Sequence, residues 1–351
     1  MDHLDKRLLN SLQQAVPLVP RPFAALGTVL GMSETDVLFR IQALKSGHII
    51  RQISAIFDTR SLGYHSSLVA MRVRPDRLDA AAAVVSDHPG VSHNYQRNHA
   101  FNLWFTLAVP PASDLTWTVE RLHEMAAAES TRMLPTLRLF KIGVQLDMAG
   151  GDGTERDEVA YNDDRRPAAG RAGLGDQEIM LIRELQNDLP LIPEPFAAIA
   201  GRLAMDQSEV FVRAARLQAE GYLRRFAAVL HHREAGFAAN AMGVWVVSPD
   251  RAEEVGAVMG SFRGVSHCYL RPTYPDWPYN IFTMVHGHTQ LDCEAVVGAI
   301  AQTTGMREYA LLYSTKQYKK IRLRYFTPDI AEWEAGIRHR LAQPVPLAAQ
   351  L

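Results

Sequence analysis

The sequence predicts an α+β protein assembled twice from one plan: a tandem repeat of a winged-helix or helix-turn-helix unit followed by a ferredoxin-like βαββαβ layer. Two observations predict it. The segment LVPRPFAAL, Leu18 to Leu26, returns 173 residues later as LIPEPFAAI, Leu191 to Ile199, identical at six of nine positions. Within each copy, a stretch of helical spacing gives way to strands alternating with helices.

Taken in order, LDKRLLNSLQQA sets Leu4, Leu8, Leu9 and Leu12 on one helical stripe, and the prolines from Pro17 to Pro22 break it. FAALGTVLG forms a second short helix and SETDVLFRIQALKSG a third, with Ser33 as N-cap and Gly47 as the stop. The second half repeats this as EIMLIRELQ, PFAAIAGRLA and DQSEVFVRAARLQAEG. Three short helices at this spacing make a helix-turn-helix unit. The strand patterns QISAIF, SSLVAMRV, VSHNYQR, NLWFTLAV and TLRLFKIG follow, interrupted by helices from Asp76 to Ser86 and from Thr116 to Ala128. That β-β-α-β-β-α-β order implies an antiparallel sheet with helices on one face. Gly90 and Gly264 mark the turns into the third strand of each half. The expected domains are residues 1–50 and 51–148, a solvated Gly-rich linker at 149–175, then 176–222 and 223–328, and a tail at 329–351.

Composition narrows the function. At 351 residues, 47% hydrophobic and 21% charged, the chain is long enough for two self-sufficient cores and is not disordered as a whole. A net charge of −1 supplies no general field for nucleic acid, so any polyanion must be met by a local patch. Cys268 and Cys293 are too few for a disulfide framework or a four-ligand zinc site and read as inert thiols. No stretch is apolar for long enough to be a signal peptide or a membrane span, and the expected location is the cytoplasm.

The register of the repeat carries the candidate site. IIRQISAIFDTRSLGY, ending at Tyr64, aligns with YLRRFAAVLHHREAGF, ending at Phe237, placing Arg51 over Arg224. After one inserted residue GVSHNYQR pairs with GVSHCYLR, so His93, Tyr95 and Arg97 fall over His267, Tyr269 and Arg271. Period two along a strand sets each triplet on one face.

Helix-turn-helix units joined to ferredoxin-like layers by GHIIRQISAIFDTRSLGY and EGYLRRFAAVLHHREAGF resemble the Lrp/AsnC family of regulators. More specifically, RRFAAVLHHREAGFAANAMGVW (Arg224 to Trp245), LPTLRLFKIG (Leu134 to Gly143) and the paired HxYxR strands resemble the siroheme decarboxylases, with two homologous subunits fused over residues 1 to about 328. The resemblance implies loss of the C12 and C18 acetate carboxyl groups of siroheme, giving 12,18-didecarboxysiroheme for d1 haem or alternative haem biosynthesis. It implies no organic cofactor, since the substrate brings its own iron. It also implies an internal pseudo-dimer of the two halves, with homodimerisation of the whole chain left open.

The residues fit such a ligand. Eight carboxylates call for arginine forks, and the second half offers Arg224, Arg225, Arg233 and Arg271 against Arg51, Arg60 and Arg97 in the first, where Gln52 replaces Arg225. That asymmetry suggests one principal site. Protonation of the methylene left by carbon dioxide suits histidine, making His267, His93 and His231 the candidate acids, with Tyr269 beside them. His99 and Trp277 are further candidate substrate contacts, and His231 or His232 a candidate axial ligand to the substrate iron. Taken singly, each arginine reads as a surface or ion-pair residue and each loop histidine as solvent-exposed; the arginines clustered on two segments read as a ligand site. Trp245 reads as core, and His286 and His288 in HGH are a weak metal signal. The rival function is a DNA-binding regulator, but its recognition helices would open on Glu34, Asp36, Asp206 and Glu209, which repel a polyanion, and two unequal halves spoil the symmetry of a palindromic operator.

Overall fold

A computed structural model describes residues 1–143, 153–159, 161–164, 173–231 and 239–343. The first half runs α1 (His3–Gln14), α2 (Pro22–Leu30), α3 (Glu34–Ser46), β1 (Ile50–Phe57), β2 (His65–Arg72), α4 (Leu78–Asp87), β3 (Val91–Arg97), β4 (Leu103–Val109), α5 (Leu115–Met125), β5 (Ser130–Pro135) and β6 (Arg138–Ile142). The second runs α6 (Asp176–Leu185), α7 (Pro195–Leu203), α8 (Gln207–Ala219), β7 (Leu223–Leu230), β8 (Ala239–Trp245), α9 (Ala252–Ser261), β9 (Val265–Leu270), β10 (Ile281–Gly287), α10 (Gln290–Thr304), β11 (Tyr309–Lys320) and α11 (Asp329–Ala342).

Local chemistry accounts for the helical units. An Asp2–Asp5 capping box opens α1, which buries Leu8, Leu9 and Leu12. Proline occupies the first position of both α2 and α7, where its missing N–H costs nothing. Ser33 caps α3 as expected, accepting from the Asp36 N–H. Gly47 closes that helix with an ordinary φ of −78°; the left-handed residue is His48 (φ 56°), matching Gly221 (φ 78°) one repeat later.

The chain forms two compact units, Met1–Leu62 with Thr136–Tyr313, and Gly63–Pro135 with Ser314–Leu351. In the first unit β1 and β7 pair antiparallel as a two-stranded sheet. The sequence reading placed these strands inside the ferredoxin-like layers; instead each meets its own counterpart from the other half. The pairing is reciprocal. Val16 N–H donates to the Phe226 carbonyl and Leu189 N–H to the Ile53 carbonyl, at 2.7 and 2.8 Å; Asp58 N–H donates to Tyr222 and His231 N–H to Ile49, both at 2.9 Å. These contacts join the two halves of the chain within the first unit.

The same unit holds a sheet in the order β6-β9-β10-β8 followed by the Tyr309–Tyr313 part of β11. Strand β6 comes from the first half. TLRLFKIG is therefore not one strand: β5 ends at Pro135 and pairs β2, while β6 pairs β9 of the second half. Phe140 of β6 joins Trp245, Met259, Cys268 and Val297 in the core beneath α9 and α10, and both cysteines are buried thiols. Burial raises both thiol pKa values, that of Cys293 to about 11, which keeps them protonated and inert. The second unit carries β5-β2-β4-β3 and the remainder of β11, with α4 and α5 packed over Val69, Leu103 and Phe105.

Two other segments differ from expectation. Residues 153–164 of the supposed solvated linker, where described, are anchored: Gly153 accepts from the Gly264 N–H at 2.9 Å, Arg263 holds Glu155 and Asp157, and Asp163 N–H donates to the Leu139 carbonyl at 3.1 Å. The tail contains helix α11, whose Trp333 lies 4.3 Å from the His88 ring. Among the described residues, no helix is long and apolar enough to cross a membrane.

Candidate active site

Four β-bulges shape the candidate sites. In β7, Arg225 faces Ile56 and Leu223 faces Phe57, so Arg224 is the extra residue; in β1 the same irregularity singles out Arg51. In β9, His267 faces Met284 while Val265 faces Val285, leaving Ser266 unmatched, and in β3 Ser92 is unmatched in the same way. A bulge re-aims a side chain that alternation alone would send elsewhere.

In the first unit, the face of β9 turned away from the helices presents His267, Tyr269 and Arg271. Cys268 lies on the opposite face, its Sγ 3.5 Å from the Gly256 carbonyl. The His267 and Tyr269 rings stack at 6.0 Å, and the Arg271 guanidinium lies 4.6 Å from Tyr269 and 5.4 Å from Phe282. Arg271 is 8% exposed, and burial lowers its pKa to about 10, still cationic at neutral pH. Burial likewise raises the Tyr269 phenol, against the opposing pull of Arg271 and Arg224 and alongside the Asp58 carboxylate. Tyr269 thus feels β7 and the end of β1 as well as its own strand.

Arg224 is held by residues the sequence did not single out. Its Nη2 donates to the Ile142 carbonyl at 2.9 Å and its guanidinium lies 4.1 Å over the Tyr161 ring. The Tyr161 hydroxyl donates to Asp58 at 2.9 Å. Tyr161 lies in the segment read as a solvated linker, and no periodic signal marks it. Ser266 and His286 were also passed over as a pair. Ser266 Oγ is 2.8 Å from His267 Nδ1 and 2.8 Å from His286 Nε2, and the only sequence cue is the serine preceding the histidine in both halves.

The second unit holds the other triplet. His93 and Tyr95 lie 6.1 Å apart, Arg97 is 5% exposed and 5.8 Å from Tyr95, and burial lowers its pKa to about 10. Ser92 Oγ is 3.0 Å from His93 Nδ1. His99 stacks on Phe101 and accepts its N–H through Nδ1; burial, then Arg72, lowers its pKa. Arg72 and Arg132 lie 5.1 and 5.6 Å from the same Phe101 ring, two cations that sequence reading missed.

Arg51 and Arg225 are half-buried on the ribbon and Arg60 is exposed. His231 follows directly on β7, its ring 6.5 Å from that of His48. His232 and Arg233 lie outside the described residues. Trp245 is core, its Nε1 donating to Thr283 at 3.0 Å. Trp277, expected as a substrate contact, is instead 0% exposed: it closes a tight hairpin with Tyr274 and packs on Tyr279 and Phe282, so its ring offers no face to a ligand. Among the described residues no three His, Cys, Asp or Glu side chains converge to hold a metal.

Such a chain, two helix-turn-helix units each leading into a ligand-binding α+β layer, is of the AsnC-like class. The AsnC-like ligand binding domain matches residues 61–141 and 234–319, and the siroheme decarboxylase NirDL-like HTH domain matches 5–51 and 178–224. A siroheme decarboxylase of Hydrogenobacter thermophilus is 40% identical over 329 residues, 93% of this chain and 96% of that protein. The siroheme decarboxylase beta subunit of Methanosarcina barkeri is 45% identical over 147 residues, 42% of this chain but 97% of the subunit. The crystal structure of the siroheme decarboxylase NirDL in co-complex with an iron-uroporphyrin III analogue superposes with a TM-score of 0.75 at 35% identity, covering 97% of this chain and 100% of that one. The chain belongs to the siroheme decarboxylase family, with both homologous subunits in one polypeptide.

Proposed function

We propose that the protein decarboxylates siroheme at the C12 and C18 acetate arms, giving 12,18-didecarboxysiroheme on the route to d1 haem. Besides family membership over almost the whole chain, the observation that carries this reading is the β9 face, where a stacked imidazole and phenol run into a buried guanidinium beside the re-aimed Arg224. Arg224, Arg225 and Arg271 bind carboxylate arms of the substrate, assisted from the first half by Arg51, while Arg97 and His99 serve carboxylates at the separate triplet of the second unit. Partial desolvation strengthens such pairs.

The reacting arm loses carbon dioxide as its carbon–carbon bond breaks, and the electron pair passes into the macrocycle. A proton from His267 then forms the new C–H bond, leaving a methyl group. Tyr269, kept protonated by burial, orients that imidazole or the departing carboxylate. His93 serves a second, weaker centre, and His231 or His232 ligates the substrate iron. No organic cofactor enters, and the reaction belongs to the cytoplasm. The regulator reading is disfavoured by the openings of α3 and α8, where Glu34 pairs with Arg21 and Glu209 with Arg213, and by exposed Phe39 and Val212 on those helices.

Anaerobic incubation of the purified chain with siroheme alone tests the proposal. Mass spectrometry should record two successive losses of carbon dioxide. Unchanged siroheme, or turnover only after an organic cofactor is added, would oppose it; salt-sensitive retention of the protein's own upstream DNA would instead favour a regulator.

A further inference from the structure

The Ser266 hydroxyl makes three contacts. Its Oγ lies 2.8 Å from His267 Nδ1, 2.8 Å from His286 Nε2 and 3.2 Å from the Met284 carbonyl oxygen. A hydroxyl has one proton to give and two lone pairs to receive with, whereas a carbonyl only accepts. One arrangement satisfies all three contacts: the hydroxyl donates to Met284, and both imidazoles donate to the hydroxyl. His267 then carries its fixed proton on Nδ1, and Nε2 is the ring atom that gains and loses the second.

The first half lacks this constraint. Ser92 lies 3.0 Å from His93 Nδ1, but the residue corresponding to His286 is Ala108: Ala108 N–H donates to the Gly90 carbonyl as His286 N–H does to that of Gly264, each at 3.0 Å. Without a second imidazole the Ser92 hydroxyl is able to turn its proton toward His93 and favour the opposite tautomer.

We propose that His286 is a positioning residue, which through the bulged Ser266 holds His267 as the Nδ1–H tautomer with Nε2 as its proton-transfer atom. This rests on the reading of His267 as the proton donor in siroheme decarboxylation. His286 does no chemistry itself, and it stands one strand away from the acid it orients.

Long-range proton–nitrogen NMR spectra of imidazole-labelled protein, taken at alkaline pH where the rings are neutral, distinguish the tautomers directly. His267 should be Nδ1–H in the natural chain and in His286→Gln, whose amide still donates, but a mixture of tautomers in His286→Ala. Siroheme turnover should follow: kcat falling by ~10-fold or more in His286→Ala with KM little changed, and largely restored in His286→Gln. An unaltered tautomer and kcat in His286→Ala, or a glutamine variant as impaired as alanine, overturns the inference. If the natural chain leaves siroheme intact, the function itself has failed; if His267→Ala is fully active, its assignment as proton donor has failed.

Discussion

His88, at the turn from α4 into β3, is an imidazole strongly perturbed by burial. It is 0% exposed, its Nδ1 accepts the Gly90 N–H at 2.9 Å, and Trp333 lies across it. Burial, with the nearby Lys319 ammonium, lowers its pKa to about 3. A histidine held neutral in the fold stabilises it fully above the unfolded pKa of ~6.5 and loses that contribution as the pH falls toward the folded value. Unfolding followed from pH 7 to pH 4 should therefore show stability dropping by up to ~1.4 kcal/mol per pH unit below pH 6.5. His88→Asn, which keeps an acceptor but cannot titrate, should flatten that slope. At the β9 face proposed as the active site, His267→Ala should lower kcat for siroheme by ~10²-fold or more with the fold intact by circular dichroism, whereas Arg338→Ala should leave it unchanged. Residues of this kind were legible in the sequence as types in register: the HxYxR rows, Arg51 over Arg224, and Trp245 as core. Trp277 was not, because an aromatic between prolines looks alike whether it lines a cleft or plugs its own hairpin.

Among the elements, bulges and exchanged strands decide where those residues act. Helices were readable because caps and apolar stripes are local, as with Ser33 and the Leu8–Leu9–Leu12 stripe. A bulge is not local. The extra residue at Ser266 exists only relative to β10, and no window of β9 by itself shows it. For the same reason β1 was assigned to the wrong sheet, since its apolar pattern suits any partner. The exchange of β6 depends on Gly256 of α9, where an added Cβ would lie 2.2–2.5 Å from the Phe140 ring. Gly256→Ala should therefore lower stability by about 1–3 kcal/mol in denaturant titrations, and Phe140→Leu in that background should recover part of the loss. Equal stability of Gly256→Ala and the natural chain would mean that β6 does not dock as tightly as described.

At the scale of the molecule, the reciprocal contacts of Val16 with Phe226 and Leu189 with Ile53 make neither half complete alone. Separately made segments 1–164 and 173–351 should assemble one to one when produced together, as checked by native mass spectrometry. The first segment alone should aggregate, because β1 and β6 would present unpaired edges. Segments that stay soluble and separate would contradict this. The duplication itself was the feature most plainly written in the sequence, because six matches in nine residues at fixed spacing need no knowledge of pairing.

The fusion of the halves also bears on their history. A single gene delivers the copies in equal number, so neither can fall into short supply while the other changes. Under that protection the twins are free to specialise, one keeping two imidazoles around its serine at Ser266 and the other carrying a methyl group at Ala108.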